Sequence, residues 1–183
     1  MTTSKNEPQR PQCSVFIAMS LDGFIARPDG GVDWLDCVAM PDEDFGFFAF
    51  FNTVDAVVFG RNTWDVACGF STWLYGDKSC FVLTHRDAEP KHGEEFLRGA
   101  PAEVVADLAS RGMRRAYIDG GAVIRQFLDA GLIDDLTISV IPILLGDGIP
   151  LFARGIEHAL TLEECRSWPT GLVQLKYAVR ANT

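Results

Sequence analysis

Histidine is scarce in this 183-residue chain. His85, His92 and His158 lie far apart, and none falls in an HExxH or paired helical arrangement. Cysteine is sparse and unpatterned. Cys13, Cys37, Cys68, Cys80 and Cys165 are odd in number and show no CxxC spacing, which excludes a disulfide framework and a cysteine-rich zinc site. No metal is expected, and a reducing cytoplasm suits five unpaired thiols. The chain also lacks the run of about 18 apolar residues that a membrane span needs. Its first residues are polar and carry Pro8 and Pro11, without the apolar centre of a signal peptide. A disordered tail is expected over 1–12, followed by one domain over 13–183. Positive charge is short as well: 16 Lys and Arg face 25 Asp and Glu, for a net charge of -9 and a pI near 4.7. That balance leaves no broad basic field for nucleic acid, although a few arginines placed together still suffice for one phosphorylated ligand.

Apolar residues make up 48% of the chain, enough at this length for one well-buried core. The segments 14–18, 54–59, 81–83, 116–118 and 136–141 are short apolar runs, too brief for helices and suited to strands buried on both faces. Residues 27–33 contain a proline and two glycines and read as a mobile loop before Trp34. The stretch 42–52 follows Pro41 with Asp42, Glu43 and Asp44 and then several phenylalanines, the pattern of a helix beginning near Asp42. Helices are expected over 104–111 and 122–130. In the second, Val123 with Phe127 and Ile124 with Leu128 give the i, i+4 spacing, and Gly131 stands where a C-terminal cap belongs. Residues 173–179 alternate apolar and polar, a half-exposed strand. Strands alternating with helices and ending in a hairpin indicate an α/β domain around a mixed, mainly parallel sheet.

Parallel strands gather ligands at their carboxyl ends, where loops and helix N-termini meet. Gly60-Arg61-Asn62-Thr63 follows one strand and combines close backbone approach with a cation and polar groups suited to phosphate; taken alone, the tetrapeptide is more simply an ordinary turn capped by Asn62 or Thr63. Thr84-His85-Arg86 ends another strand, and Arg86 there is either a partner for Arg61 or a solvated charge. Asp119-Gly120-Gly121 precedes a helix whose free N–H groups suit a pyrophosphate, or forms only a tight turn.

Taken in order, these segments resemble the dihydrofolate reductase superfamily over about 14–179. The anchors are Val57-Val58-Phe59-Gly60-Arg61-Asn62-Thr63-Trp64 and Gly120-Gly121-Ala122-Val123-Ile124-Arg125-Gln126-Phe127-Leu128. Ser20-Leu21-Asp22-Gly23-Phe24-Ile25-Ala26, Leu132-Ile133-Asp134-Asp135-Leu136 and Pro142-Ile143-Leu144-Leu145-Gly146-Asp147-Gly148 resemble more narrowly the reductase domain of the riboflavin-biosynthesis protein RibD and its stand-alone relatives. Asp33-Trp34-Leu35 departs from the RibD loop, and the deaminase domain of bifunctional RibD is absent from this sequence.

The resemblance implies a three-layer dihydrofolate-reductase-like fold with a C-terminal hairpin, and NADPH as cofactor. It assigns cofactor contacts to Ala18, Ile25, Gly60, Arg61, Asn62, Thr63, Thr84, His85, Arg86, Gly120, Gly121, Ala122 and Val123. Ala18 and Ile25 would flank the nicotinamide under Trp34, although both also suit a core. Asp44, placed 16 residues before Gly60, matches by count the active-site carboxylate of folate reductases, or serves with Asp42 and Glu43 as a helix-start charge. Asp22 is either a substrate ligand or a turn residue before Gly23. The implied activity is hydride transfer to a C=N or carbonyl carbon of a small metabolite, a pteridine or a 5-amino-6-(5-phosphoribosylamino)uracil-like compound, by a cytoplasmic homodimer. The alternative is a catalytically silent NADPH-binding or sensing module.

Overall fold

The structure, a computed structural model, describes residues 9–152 and 157–180. Its elements in chain order are β1 (Gln12–Ser20), β2 (Phe24–Ala26), a 3-10 helix (Asp33–Val38), α1 (Phe47–Phe51), β3 (Ala56–Gly60), α2 (Arg61–Ala67), β4 (Ser79–Leu83) and β5 (Glu95–Leu97). They continue with α3 (Pro101–Ser110), β6 (Arg115–Asp119), α4 (Gly121–Asp129), β7 (Asp135–Ile141), β8 (Ile149–Pro150), β9 (Leu160–Ser167) and β10 (Val173–Val179). The main sheet has eight strands in the order β5-β4-β3-β6-β1-β7-β10-β9. From β5 to β7 all neighbours are parallel, while β10 runs antiparallel to both β7 and β9. This mixed, mostly parallel sheet with helices on both faces and a C-terminal hairpin is the three-layer arrangement expected from the sequence.

Side-chain alternation divides the sheet between two cores. Cys13, Val15, Val58, Ile118, Leu136 and Ile138 face α3 and α4, where Leu108, Ile124 and Phe127 are fully buried. Val57, Phe59 and Tyr117 face the other way, toward Trp64 and Ala67 of α2 and the phenylalanines of α1. A third cluster joins Trp34 and Val38 of the 3-10 helix to Ile141 and Leu172. Helix α4 ends as expected: Gly131 takes φ +65°, its N–H bonds the Leu128 carbonyl, and the Leu132 N–H bonds the Phe127 carbonyl.

Two sequence expectations need correction. The helix expected over 42–52 is only α1, because Asp42 (φ 59°), Phe45 (φ 54°) and Gly46 (φ 83°) adopt left-handed backbone that cannot continue a helix. The tail expected over 1–12 is shortened too. Residues 1–8 lie outside the described residues, but Gln12 opens β1, and Arg10 hydrogen-bonds Asp134 and the Leu132 carbonyl.

Beneath the amino ends of β1, β6 and β7, the buried Asp135 carboxylate accepts hydrogen bonds from Gln12 Nε2 (2.7 Å), Ser14 Oγ (2.7 Å) and Arg115 Nη2 (3.3 Å). Removing it strands three donors, one of them charged. Asp135→Ala is expected to lower unfolding free energy by about 2–4 kcal/mol in urea titrations, and Asp135→Asn, which keeps one acceptor oxygen, by less. Equal losses would show that the retained oxygen restores nothing and that the carboxylate charge carries the contribution.

Candidate functional site

The carboxyl ends of β1, β3, β4, β6 and β7 lie along one rim of the sheet, and three glycines let their loops close on one another. Gly120 holds φ +82°, and a Cβ there would come within 2.3 Å of Thr63 Oγ1. At Gly121 a Cβ would meet Ile25 Cδ1 at 2.8 Å, and at Gly60 it would meet Val123 Cγ2 at 3.2 Å. Gly60, Thr63, Gly120, Gly121, Val123 and Ile25 therefore form one packed floor. Above it, α4 begins at Gly121 without a side-chain cap; the Val123 N–H bonds the Gly120 carbonyl, and the Gly121 and Ala122 N–H groups are the ones a helix start offers to an anion. The turn beginning at Gly60 is likewise not capped by Asn62 or Thr63.

Arg61 on α2 stacks 4.7 Å above the Trp64 ring, and its Nε bonds Asp65 at 3.0 Å. The two contacts together hold the guanidinium in place. Trp64 is anchored in turn: its indole N–H donates to Glu94, whose carboxylate also accepts the Lys91 and His92 backbone N–H groups. Lys91 Nζ stands 5.1 Å from the same ring. Across the rim, Thr84 Oγ1 accepts the Arg86 N–H at 3.1 Å, a local turn that leaves His85 and Arg86 exposed. Asn62 and Ala122 are exposed as well.

Ala18 packs in the Trp34 cluster, whereas Ile25 packs against Gly121, so the two border the rim from different sides. The Trp34 indole is buried, and its N–H has no acceptor among the described residues. Asp22 faces the loop 142–148 instead: its carboxylate accepts the Ser20 hydroxyl (2.5 Å), Gly146 N–H (2.7 Å) and Leu145 N–H (3.1 Å). Those donors, the Ser20 hydroxyl foremost, hold its pKa below the usual carboxylate range. Asp44 is engaged similarly. One oxygen accepts the Phe48 N–H (2.7 Å) and the other the Gly46 N–H (2.9 Å), and these bonds depress its pKa too. Its geometry is that of a helix-start carboxylate.

A third carboxylate, not singled out as a group of its own in the sequence, occupies the rim. Asp119 ends β6 on the face shared with Phe59 and Tyr117, accepting the Gly120 N–H at 2.7 Å and the Tyr75 hydroxyl at 2.9 Å. Burial raises its pKa above the usual range, only partly opposed by those donors. The Tyr117 hydroxyl, also near Asp119, donates to the Phe16 carbonyl at 2.8 Å, so toward Asp119 it can only accept. That arrangement favours the protonated carboxyl. Asp119 was visible in sequence as the residue before a glycine pair. Tyr75, 44 residues away in a glycine-rich loop, carried no signal.

A family model for the RibD C-terminal domain matches residues 11–174. An uncharacterized Bacillus subtilis protein, YwjB, is 38% identical over 152 residues, covering 81% of this chain and 84% of its own length. The riboflavin biosynthesis protein RibD of Corynebacterium ammoniagenes is 26% identical over 173 residues, with 83% of this chain and 49% of that longer protein aligned. Among solved structures, a candidate riboflavin biosynthesis protein of Shewanella sp. PV-4 is 38% identical at a TM-score of 0.87, covering 92% of this chain and 99% of that one. A dihydrofolate reductase of Enterococcus faecalis solved with NADP(H) shares the fold at a TM-score of 0.63 and 18% identity, covering 92% and 96%. With a match across nearly its whole length, the chain belongs to the RibD C-terminal domain family, and it shares its fold with the dihydrofolate reductase.

Proposed function

We propose that this chain is an NADPH-dependent reductase that delivers hydride to a C=N or carbonyl carbon of a small heterocycle, acting in the cytoplasm as a homodimer. The observation that carries the reading is the convergence of Gly60, Thr63, Gly120, Gly121 and Val123 beneath the uncapped start of α4, with Arg61 beside them. The residues fit a dinucleotide: helix N–H groups for pyrophosphate, and a pre-oriented guanidinium for a further phosphate. Thr84, His85 and Arg86 would border that end, and Ala18, Ile25 and the unpaired Trp34 N–H the nicotinamide end. The cofactor, when bound, supplies the hydride. Among the described residues no helix is long and apolar enough to cross a membrane.

The protein must then hold the acceptor and manage one proton. Asp119 suits both tasks, because burial favours its protonated form, and a protonated carboxyl can donate to a ring nitrogen or carbonyl oxygen while Tyr75 holds it in place. A pteridine or an aminopyrimidine of the 5-amino-6-(5-phosphoribosylamino)uracil type presents such groups. Silent cofactor binding is the competing reading, favoured by Asp22 and Asp44 both being committed to backbone donors. Asp119 answers it, and oxidation of NADPH by the purified chain across a pteridine and aminopyrimidine panel decides: tight cofactor binding without turnover on any member would leave the silent module.

Arg61→Ala should weaken NADPH by about 10- to 150-fold and NADH little, since a charge-assisted phosphate contact contributes about 1.5–3 kcal/mol. Calorimetry giving equal losses for both cofactors would remove Arg61 from the phosphate site.

Asp119→Asn should lower kcat/KM by about 10²- to 10⁴-fold, whereas Asp44→Ala should cost about 0.5–2 kcal/mol of stability with turnover nearly unchanged. The reverse pattern would return the catalytic role to Asp44.

The pH dependence has a definite sign. Because the folded pKa of Asp119 is raised, the folded chain binds this proton more tightly than the unfolded chain, so stability falls as pH climbs from the ordinary carboxylate range through the folded value. Turnover that needs the protonated form falls over the same upper limb. Asp119→Asn should flatten the stability profile above the ordinary carboxylate range; an unchanged profile would mean that folding does not shift the Asp119 titration.

A further inference from the structure

We propose that the cavity between α1 and strands β7 and β10 is a second small-molecule site, shaped for an uncharged one- or two-ring heterocycle that carries an amino group. Strand β1 lies between β6 and β7, and such an inner parallel strand is normally covered on both faces. Phe16 of β1 is nevertheless only half-buried. Left-handed backbone at Phe45 and Gly46 delays the helix, and α1 then runs for five residues. Its phenylalanines reach Phe16 and Tyr117 and leave a cavity of about 210 Å³ over the neighbouring strands.

Sheet register orders the lining. Phe16, Thr137, Lys176 and Glu164 stand opposite one another across β1, β7, β10 and β9, and Ser139, Gln174 and Arg166 form the next row toward the rim. Phe50 stacks on Phe16 at 5.1 Å and 28°, and Ala49, exposed on α1, stands beside it. Aromatic rings so placed offer a flat apolar wall to another ring. Two oxygens at the base are without partners. Thr137 is 7% exposed and Gln174 8%. The Gln174 amide nitrogen donates to the Phe45 carbonyl and to Ser139 Oγ, both at 3.0 Å, which leaves its carbonyl oxygen as an acceptor only. Among the described residues neither that oxygen nor the Thr137 hydroxyl makes a hydrogen bond, and both residues line the cavity. Polar groups this well buried normally have a partner, so an occupant that supplies one is called for.

The charges around the cavity do not select an anion. Arg115, at its inner end, is committed to Ser14 Oγ (2.9 Å), Thr53 Oγ1 (2.8 Å) and Asp135 (3.3 Å). At the mouth Lys176 pairs with Glu163 (3.0 Å) and Arg166 with Glu164 (2.5 Å). Cations and carboxylates thus cancel, and a net charge on the ligand gains little. What the base lacks is a donor. An amino group or ring N–H directed at Gln174 and Thr137 supplies it, the ring lies against Phe16 and Phe50, and ring acceptors turn outward to Lys176 and Arg166. A cavity below the ~300–1,000 Å³ of drug-sized sites admits one or two rings and little more. The site lies apart from the glycine floor and from Asp119, so it does not depend on the chain's being a reductase.

Adenine and cytosine, titrated into the full chain under excess NADPH and followed by nuclear magnetic resonance, test this. At least one should bind with Kd below about 1 mM, shifting the amide signals of Phe16, Thr137 and Gln174 and leaving those of Gly120 and Gly121 in place. Thr137→Val keeps the shape and strand preference of the side chain and should weaken binding about 3- to 10-fold. Ala49→Trp fills the cavity from an exposed helix position and should abolish binding, with the far-ultraviolet spectrum and NADPH affinity unchanged. Benzoate, flat but anionic, should not bind. Failure of both bases at millimolar concentration would leave the two oxygens to water and overturn the proposal. So would shifts at Gly120 and Gly121 in place of Thr137, full affinity in Thr137→Val, or a preference for benzoate. Thr137 signals that move with protein concentration alone would mean that a second copy covers the cavity, which overturns it as well. Base binding by a chain that never oxidises NADPH would leave this site standing and remove only the reductase reading.

Discussion

Thr63 can rest against Gly120 only because position 120 has no side chain and holds a backbone conformation that other residues enter with strain. β3 and β6 are adjacent parallel strands, so the helices that follow them start at neighbouring points on the rim. α2 then lies on one face of the sheet and α4 on the other, and their beginnings must pass within van der Waals distance. Gly60 against Val123 and Gly121 against Ile25 extend the same close approach. A Cβ at 120 or 121 would push these loops apart and with them Arg61 and the N-terminus of α4. The cofactor site proposed here is a consequence of that packing more than of any single ligand residue.

Legibility in the sequence followed burial. β1, β3, β4, β6 and β7 lie inside the sheet, so their apolar runs were visible, with ends misjudged by a residue or two. α4 was visible for the same reason: its i, i+4 pairs are fully or nearly fully buried. β9 left no imprint, since an all-exposed strand reading Leu-Thr-Leu-Glu-Glu-Cys-Arg-Ser has no alternation enforced by a core. β2, β5 and β8 are too short for periodicity to register. The early helix start was misread because an acidic cluster before phenylalanines satisfies helix-dipole logic. What breaks that helix is left-handed backbone at Asp42, Phe45 and Gly46, and Phe45 is a residue whose identity gives no warning of it.

The carboxylates divide along the same line. Asp22 and Asp44 stood out because their neighbourhoods were recognisable, and each is consumed by the turn it builds: Asp22 ties the β1 turn to the 142–148 loop, Asp44 starts α1. Bonds to backbone N–H groups favour the ionised form and make a poor proton donor. Asp119 also accepts donors, the Gly120 N–H and the Tyr75 hydroxyl, but its burial outweighs them, and the residues that bury it are far apart in the chain. The raised pKa of Asp119 is therefore the feature least visible from local pattern. Desolvation is a property of the folded surroundings.

A net charge of -9 opposes an anionic ligand at long range, but it acts at a different range from the contacts that would bind one. At physiological ionic strength fields are screened over about 8 Å, so distant carboxylates contribute little at the rim. Inside that radius the balance is set by α4's uncapped first turn and by Arg61. Asp65 neutralises part of the Arg61 charge, but it and the Trp64 ring fix the guanidinium's direction before any ligand arrives. Holding one planar donor in place reduces the ordering entropy of each bond it forms. An acidic protein can in this way bind an anion specifically while giving extended polyanions no surface to follow.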